Sequence, residues 1–131
     1  MQRLYGIDGG PNCAVNQVYY SLGARGVEYD LLPWQAEHDV ATMAYCPLDQ
    51  GRLADHAQVR PIAEKHGATV AQIALAWLAN QPNVIPIPKS AKISRVRENV
   101  RAGDIVLDGA DLVALDSVFP PTTQPVPLKT S

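Results

Sequence analysis

The 131-residue sequence has few cysteines, little net charge and no long apolar run. Cys13 and Cys46 are far apart and show no metal-ligand spacing, which indicates a reduced, cytoplasmic protein. A formal net charge of −2 argues against a general nucleic-acid-binding or membrane-binding surface. No apolar stretch approaches the roughly 20 residues of a membrane span, and no apolar signal region follows Met1.

The sequence instead alternates short apolar segments with amphipathic ones. Strands are predicted at 13–19, 40–45 and 84–87, and helices at 27–39 and 59–66. Three further helices are predicted to begin at a Thr69–Gln72 capping box, at Ser94 and at Asp108, each of which has N-cap chemistry. This order predicts a parallel α/β architecture in one domain, with a loose tail over 120–131.

Apolar residues recur at helical spacing in three of the predicted helices. Residues of the helix after Thr69 recur at offsets typical of one apolar face, so Trp77 is predicted to pack in the core. The same spacing predicts an apolar face on the helix after Ser94 and a buried stripe on the last helix. The first comprises Ile93, Val96 and Val100, and the second comprises Leu112, Leu115 and Phe119.

The most informative stretch is 87–99, where a strand leads through a loop to a helix start. Lys89, Lys92, Arg95 and Arg97 surround that start. Helix N-termini present unpaired N–H groups and a partial positive charge, so a phosphate site is plausible. A solvated basic helix start beside an ordinary turn explains the residues equally well.

The complete string resembles the cofactor segment of aldo-keto reductases. It reads Ile87-Pro88-Lys89-Ser90, followed by Arg95, Glu98 and Asn99. The resemblance implies that Lys89, Ser90 and Arg95 hold the adenosine 2′-phosphate of NADPH. It also implies that Glu98 and Asn99 contact the adenine.

Asn16-Gln17-Val18-Tyr19 resembles the sixth barrel strand of the same family. From the residues alone, Asn16 and Gln17 either close hydrogen bonds at a strand end or point into a site. The resemblance implies that Gln17 holds the nicotinamide carboxamide of the cofactor.

Tyr45-Cys46-Pro47-Leu48, followed by Gly51-Arg52-Leu53, resembles the segment after the seventh barrel strand. A tyrosine just past a strand is often a lid on the core, but the resemblance implies that Tyr45 stacks on the nicotinamide. Cys46 replaces a serine that contacts the pyrophosphate, and a thiol is the weaker donor. Backbone N–H groups near Leu48 are an alternative donor.

The resemblance implies a partial (β/α)8 TIM barrel that comprises the last three strands with outer helices. The family reduces aldehydes or ketones with NADPH, and its catalytic aspartate, tyrosine, lysine and histidine belong to the first four strands. No segment here resembles those strands. The expected function is therefore a C-terminal, NADP(H)-binding portion that is inactive alone. The carbonyl substrate stays open, and a non-catalytic nucleotide-binding module or a structural or regulatory subunit are alternatives.

Three parallel strands cannot close a barrel. The inner face of the sheet, with Val15, Met43 and Ile85, is therefore predicted to form an exposed apolar patch between open edges. This arrangement predicts a homo-oligomer, a strand-exchanged dimer or pairing with a complementing fragment.

Overall fold

A three-stranded parallel sheet forms the centre of the computed structural model, which describes residues 1–130. The strands β1 (Val15–Tyr19), β2 (Ala41–Tyr45) and β3 (Val84–Pro86) lie side by side in sequence order. Gln17 of β1 lies opposite Met43 of β2, which in turn lies opposite Ile85 of β3. The predicted parallel α/β architecture is confirmed, and within residues 1–130 the sheet does not close into a barrel.

Six helices accompany the sheet within the described residues. They are α1 (Gln2–Tyr5), α2 (Leu31–Glu37), α3 (Arg60–Lys65), α4 (Val70–Ala79), α5 (Ile93–Arg101) and α6 (Gly109–Val118). Short 3-10 turns form at Gly10–Asn12, Gly26–Glu28, Asp49–Gly51, Ala57–Val59 and Ala102–Asp104. No helix within residues 1–130 has both the length and the apolar character needed to cross a membrane.

The helix predicted over 27–39 is shorter than expected. A 3-10 turn at Gly26–Glu28 precedes α2, and Asp30 occupies the N-cap position without a side-chain cap hydrogen bond. Pro33 explains the late start, since a proline ring clashes with the carbonyl four residues earlier unless it lies in the first turn. β1 also begins at Val15 rather than at the predicted position 13.

The prediction that Ser94 caps α5 is wrong. The N-cap is Lys92, and the Oγ of Ser90 accepts a hydrogen bond from the Lys92 backbone N–H at 3.1 Å. The hydroxyl that bonds the backbone at the start of α5 is therefore that of Ser90, and Ser94 already lies within the helix. Ile93, Val96 and Val100 all lie on α5 as predicted, and Ile93 and Val100 are 72% and 73% exposed there.

The core lies between the sheet and α4. Successive strand residues point to opposite faces, and one face presents Val18, Ala44 and Val84 to the helices. Trp77 and Ile73 of α4 are fully buried in the same cluster, which confirms Trp77 as a packing residue. The Thr69–Gln72 capping box that begins α4 is also confirmed.

The opposite face of the sheet is open in the described chain. Val15 and Ile85 are 40% and 49% exposed there, Gln17 is exposed and Met43 is partly buried. The predicted exposure of this face is confirmed for Val15 and Ile85, whereas Met43 is only partly exposed.

Helix α6 begins with a capping box formed by Asp108 and Asp111. Leu115 is fully buried on this helix, whereas Leu112 is exposed, so the predicted stripe is buried only in part. Most side chains after α6 are exposed, but Thr122 donates a hydrogen bond to the Arg25 carbonyl at 3.3 Å. Lys129 contacts Asp49 at 2.6 Å, so side-chain hydrogen bonds join the C-terminal segment to the body near both Arg25 and Asp49.

Candidate functional site

A cleft of about 360 Å³ opens where the chain leaves β2 and β3. The carboxyl ends of parallel strands lie at one edge of a sheet, which brings the loop after β2 close to the loop after β3. The cleft is lined by Cys46 and Leu48 from the first loop, Lys89 from the second and Arg95 from α5. The structure thus brings together four residues that the sequence analysis assigned to one site.

The cleft carries positive charge. Lys89 and Arg95 are both exposed, and neither forms a salt bridge within residues 1–130. An ammonium and a guanidinium that no carboxylate neutralises suit a phosphate, because the guanidinium donates two parallel hydrogen bonds and the ammonium supplies a point charge. This donor set fits the anionic part of a phosphorylated nucleotide.

The loop after β2, residues 46–53, has an unusual backbone. Cys46, Asp49 and Gln50 have φ angles of 51°, 48° and 56°, and Gly51 has a φ of 91°. A left-handed conformation costs a non-glycine residue on the order of 1 kcal/mol, so such a loop needs support from its surroundings. Part of that support is internal, since the N–H groups of Asp49 and Gly51 donate to the carbonyls of Cys46 and Leu48 at 2.9 Å.

Asp49 supplies the external support of the loop. Its side chain is buried and accepts hydrogen bonds from the Tyr19 hydroxyl and from the Lys129 ammonium, the latter at 2.6 Å. Arg52 approaches the second carboxylate oxygen at 3.7 Å. Burial alone would raise the pKa of the Asp49 carboxyl, but the hydrogen bonds from Lys129 and Tyr19 outweigh it and hold that pKa below its usual value.

Asp49 was not among the site residues predicted from the sequence. Its partners Tyr19 and Lys129 lie 30 and 80 residues away along the chain, so no local pattern announces the contact. The pKa of the Tyr19 hydroxyl is raised by burial and by its hydrogen bond to Asp49, so the group stays protonated and donates.

Gln17 and Tyr45 do not line the cleft. Both belong to the open face of the sheet, where Gln17 is exposed and Tyr45 is partly buried. The Tyr45 ring meets the Tyr19 ring edge to face, with centroids 5.3 Å apart. Tyr45 directly precedes Cys46, so the cleft and the open face adjoin at this point in the chain.

Ser90, Glu98 and Asn99 also lie outside the lining of the cleft. The hydroxyl of Ser90 is engaged with Lys92, as described above, and the Glu98 carbonyl accepts a hydrogen bond from Gln72 at 3.0 Å. Asn99 borders a separate cavity of about 290 Å³ between α5 and α4. Their assigned contacts with a cofactor stay predictions.

In the described part of the chain, no group of three or more His, Cys, Asp or Glu side chains is arranged to hold a metal ion. The exposed side chains of Lys89 and Arg95 give the cleft the chemistry to recognise an anion. A family model described as the aldo/keto reductase family matches residues 1–119.

The chain belongs to the aldo/keto reductase family. It is 44% identical over 125 residues to methylglyoxal reductase YeaE of Escherichia coli K12. The aligned region covers 92% of this chain and 44% of that protein. An uncharacterized oxidoreductase of Bacillus subtilis, YtbE, is 34% identical over 104 residues. The resemblance stated from the sequence is thus confirmed.

Solved structures of this aldo-keto reductase family share the fold. An aldo/keto reductase from Klebsiella pneumoniae, crystallised in complex with NADP and acetate, superposes with a TM-score of 0.95 at 45% identity. That comparison covers 99% of this chain and 48% of the Klebsiella chain. A structure of a Klebsiella pneumoniae aldo-keto reductase in complex with NADPH gives the same values. This chain therefore spans about half the length of the relatives it matches, and its α/β fold is part of an aldo-keto reductase barrel.

Proposed function

We propose that this chain is the C-terminal, NADP(H)-binding portion of an aldo-keto reductase that reduces aldehydes or ketones by hydride transfer. The observation that carries the proposal is the cleft in which Lys89 and Arg95 lie without a carboxylate partner among residues 1–130. The Klebsiella pneumoniae relatives crystallised with NADP and with NADPH support it.

The residues present fit the phosphates of the dinucleotide. Lys89 and Arg95 would hold the adenosine 2′-phosphate, and the hydroxyl of Ser90 would add a donor or acceptor beside them. Cys46 and the backbone near Leu48 line the same cleft and would contact the pyrophosphate. Glu98 and Asn99 on α5 would contact the adenine.

The open face of the sheet fits the other end of the dinucleotide. The Tyr45 ring would stack on the nicotinamide, and its edge contact with Tyr19 restricts the orientation of that ring. The side-chain amide of exposed Gln17 has both donors and an acceptor for the nicotinamide carboxamide. The dinucleotide supplies the hydride when it is bound, and these residues orient it.

Turnover needs a proton donor beside the carbonyl oxygen of the substrate. No segment of this sequence resembles the family segments that carry the catalytic aspartate, tyrosine, lysine and histidine. We therefore assign to this chain the binding and orientation of the cofactor, and expect the small carbonyl substrate to react only when those segments are supplied.

The open face favours a second candidate function. Val15 and Ile85 are large, exposed and apolar at the two edge strands of the sheet. Such a surface invites pairing with another chain, so a non-catalytic subunit that oligomerises through its open sheet is the alternative. In either case we propose a homo-oligomer or a complementing fragment that covers this face.

Fluorescence titration of the purified chain with NADPH and with NADH tests the proposed function. The expected result is binding of both, with NADPH about 10- to 100-fold tighter because a charge-assisted phosphate contact contributes about 1.5–3 kcal/mol. No binding at all would overturn the proposal in favour of the structural subunit, and equal affinities would overturn the proposed contact with the 2′-phosphate.

A further inference from the structure

The contact between the C-terminal segment and the loop after β2 has no obvious role in core packing. Lys129 lies on a segment whose residues are exposed, yet its ammonium makes a 2.6 Å hydrogen bond with the buried carboxylate of Asp49. The same ammonium lies 4.7 Å from the centre of the Tyr19 ring. A carboxylate, a phenol and an ammonium from three distant parts of the chain therefore meet at one point.

Asp49 lies in the part of the loop after β2 that has a left-handed backbone and lines the cleft on either side of it. Asp49 has a φ of 48°, and its neighbour Gln50 has a φ of 56°. Leu48 and Gln50, on either side of Asp49, both line the cleft that holds Lys89 and Arg95. Because two successive residues other than glycine are left-handed here, the loop needs support beyond its own backbone hydrogen bonds, and the side chain of Asp49 is placed to give it.

We propose that Asp49 is a positioning residue, which holds the loop after β2 in its cleft-lining conformation through its hydrogen bonds to Tyr19 and Lys129. Asp49 does not itself line the cleft, so it is assigned no contact with a nucleotide. The role in nucleotide affinity rests on the proposed function, whereas the role in loop conformation does not.

The charges of the three groups agree with this assignment. Asp49 stays ionised because its pKa lies below the usual value, and Tyr19 stays protonated because its pKa is raised. The carboxylate therefore accepts both hydrogen bonds around neutral pH. Removal of Lys129 would leave a buried carboxylate with one strong donor fewer, and the loop would open more often.

Amide hydrogen exchange over residues 46–54, measured without nucleotide, tests the loop. Lys129→Gln is the main variant, because Lys129 is an exposed residue that does not belong to the hydrophobic core. We expect exchange in the loop to be about 3- to 10-fold faster. Loss of a partly exposed charged hydrogen bond should raise the population of the open loop by that factor. Asp49→Asn should act in the same direction, and Lys129→Arg should restore most of the protection.

Arg101→Gln is the matched control. It removes the same charge from an exposed side chain at the end of α5, away from the loop, and should leave exchange at wild-type rates. Unchanged exchange in both Lys129→Gln and Asp49→Asn would overturn the proposal, and so would an equal effect of Arg101→Gln.

Titrations with NADPH and NADH give the second measurement. A positioning role predicts that Lys129→Gln weakens both nucleotides by the same factor of about 3 to 10, so that the preference between them is unchanged. Faster loop exchange with unaltered affinities would contradict the positioning role. If the wild-type chain binds neither nucleotide, the proposed function fails, and the exchange experiment still decides whether Asp49 holds the loop.

Discussion

The imidazole Nε2 of His66 lies 2.8 Å from the Oδ2 of Asp111 and joins the end of α3 to the start of α6. Asp111 is buried and also accepts a hydrogen bond from the Lys65 ammonium at 2.8 Å. The same carboxylate accepts the backbone N–H of Asp108 as part of the capping box. The side chain of Asp111 thus forms hydrogen bonds at both the end of α3 and the start of α6.

This junction predicts how stability changes in acid. Burial opposes ionisation, but the hydrogen bonds from Lys65 and His66 lower the pKa of the Asp111 carboxyl to about 2. A carboxyl of the unfolded chain has a pKa of about 3.9, so the stabilisation is fully present above that pH. It should be lost as the pH falls through the window from about 4 to about 2.

Urea unfolding from pH 7 down to pH 2 measures this effect. We expect Asp111→Asn to lower the free energy of unfolding at pH 7 by about 1–3 kcal/mol, and to flatten its pH dependence below pH 4. Asp104→Asn, which changes an exposed carboxylate outside the described salt bridges, is the control and should resemble wild type. An Asp111→Asn variant with the full acid dependence would show that another carboxyl is responsible.

Arg95→Ala should remove most of the preference for NADPH over NADH. The guanidinium lines the cleft and would bind the 2′-phosphate that NADH lacks, so only NADPH should weaken, by about 10- to 100-fold. Arg101→Ala removes a guanidinium from the other end of α5 and should leave the preference intact. Fluorescence titrations with both cofactors give the comparison, and an undiminished preference in Arg95→Ala would refute the role assigned to Arg95.

The open face of the sheet predicts self-association. Ile85 is 49% exposed at the edge strand β3, so Ile85→Glu should shift sedimentation equilibrium at micromolar concentration toward monomer. Val113→Glu is the control, because Val113 is 71% exposed on α6, away from that face. A wild-type chain that is a folded monomer, with an unfolding midpoint independent of concentration, would contradict this prediction.

The purified chain should not reduce 4-nitrobenzaldehyde with NADPH above background. Loss of a positioned general acid alone lowers the rate by roughly 10²–10⁴-fold, before the loss of substrate positioning is counted. The absorbance of NADPH at increasing protein concentrations measures the rate. Oxidation proportional to the amount of pure protein would show that this chain contains its own proton donor.

Local signals in the sequence predicted much of the fold. Thr69 and Gln72 form the expected capping box because both partners lie within one helical turn. Trp77 is buried as its spacing predicts, since a regular helix places residues at those offsets on one face. Features set within a few residues of each other could thus be predicted from the order of side chains alone.

Features that depend on competition or on distant partners could not be predicted. Ser94 has the chemistry of an N-cap, but α5 begins two residues earlier, with Lys92 as its N-cap. The Ser90 hydroxyl accepts the hydrogen bond from the Lys92 backbone N–H. The Asp49–Lys129 contact joins segments 80 residues apart, and only the folded chain brings them together. For the candidate site, the residues around Lys89 indicated a cofactor segment. The support that Asp49 gives to the loop after β2 could not be predicted from the sequence.

Lys89 and Arg95 are proposed above all to form a site for the 2′-phosphate of an adenine nucleotide. Calorimetric titration of the chain with adenosine 2′,5′-bisphosphate, and in parallel with adenosine 5′-monophosphate, tests it without the nicotinamide half of the cofactor. We expect the bisphosphate to bind at least about 10-fold more tightly, and 0.5 M salt to remove most of the difference. Equal affinity for the two nucleotides at low salt would contradict it.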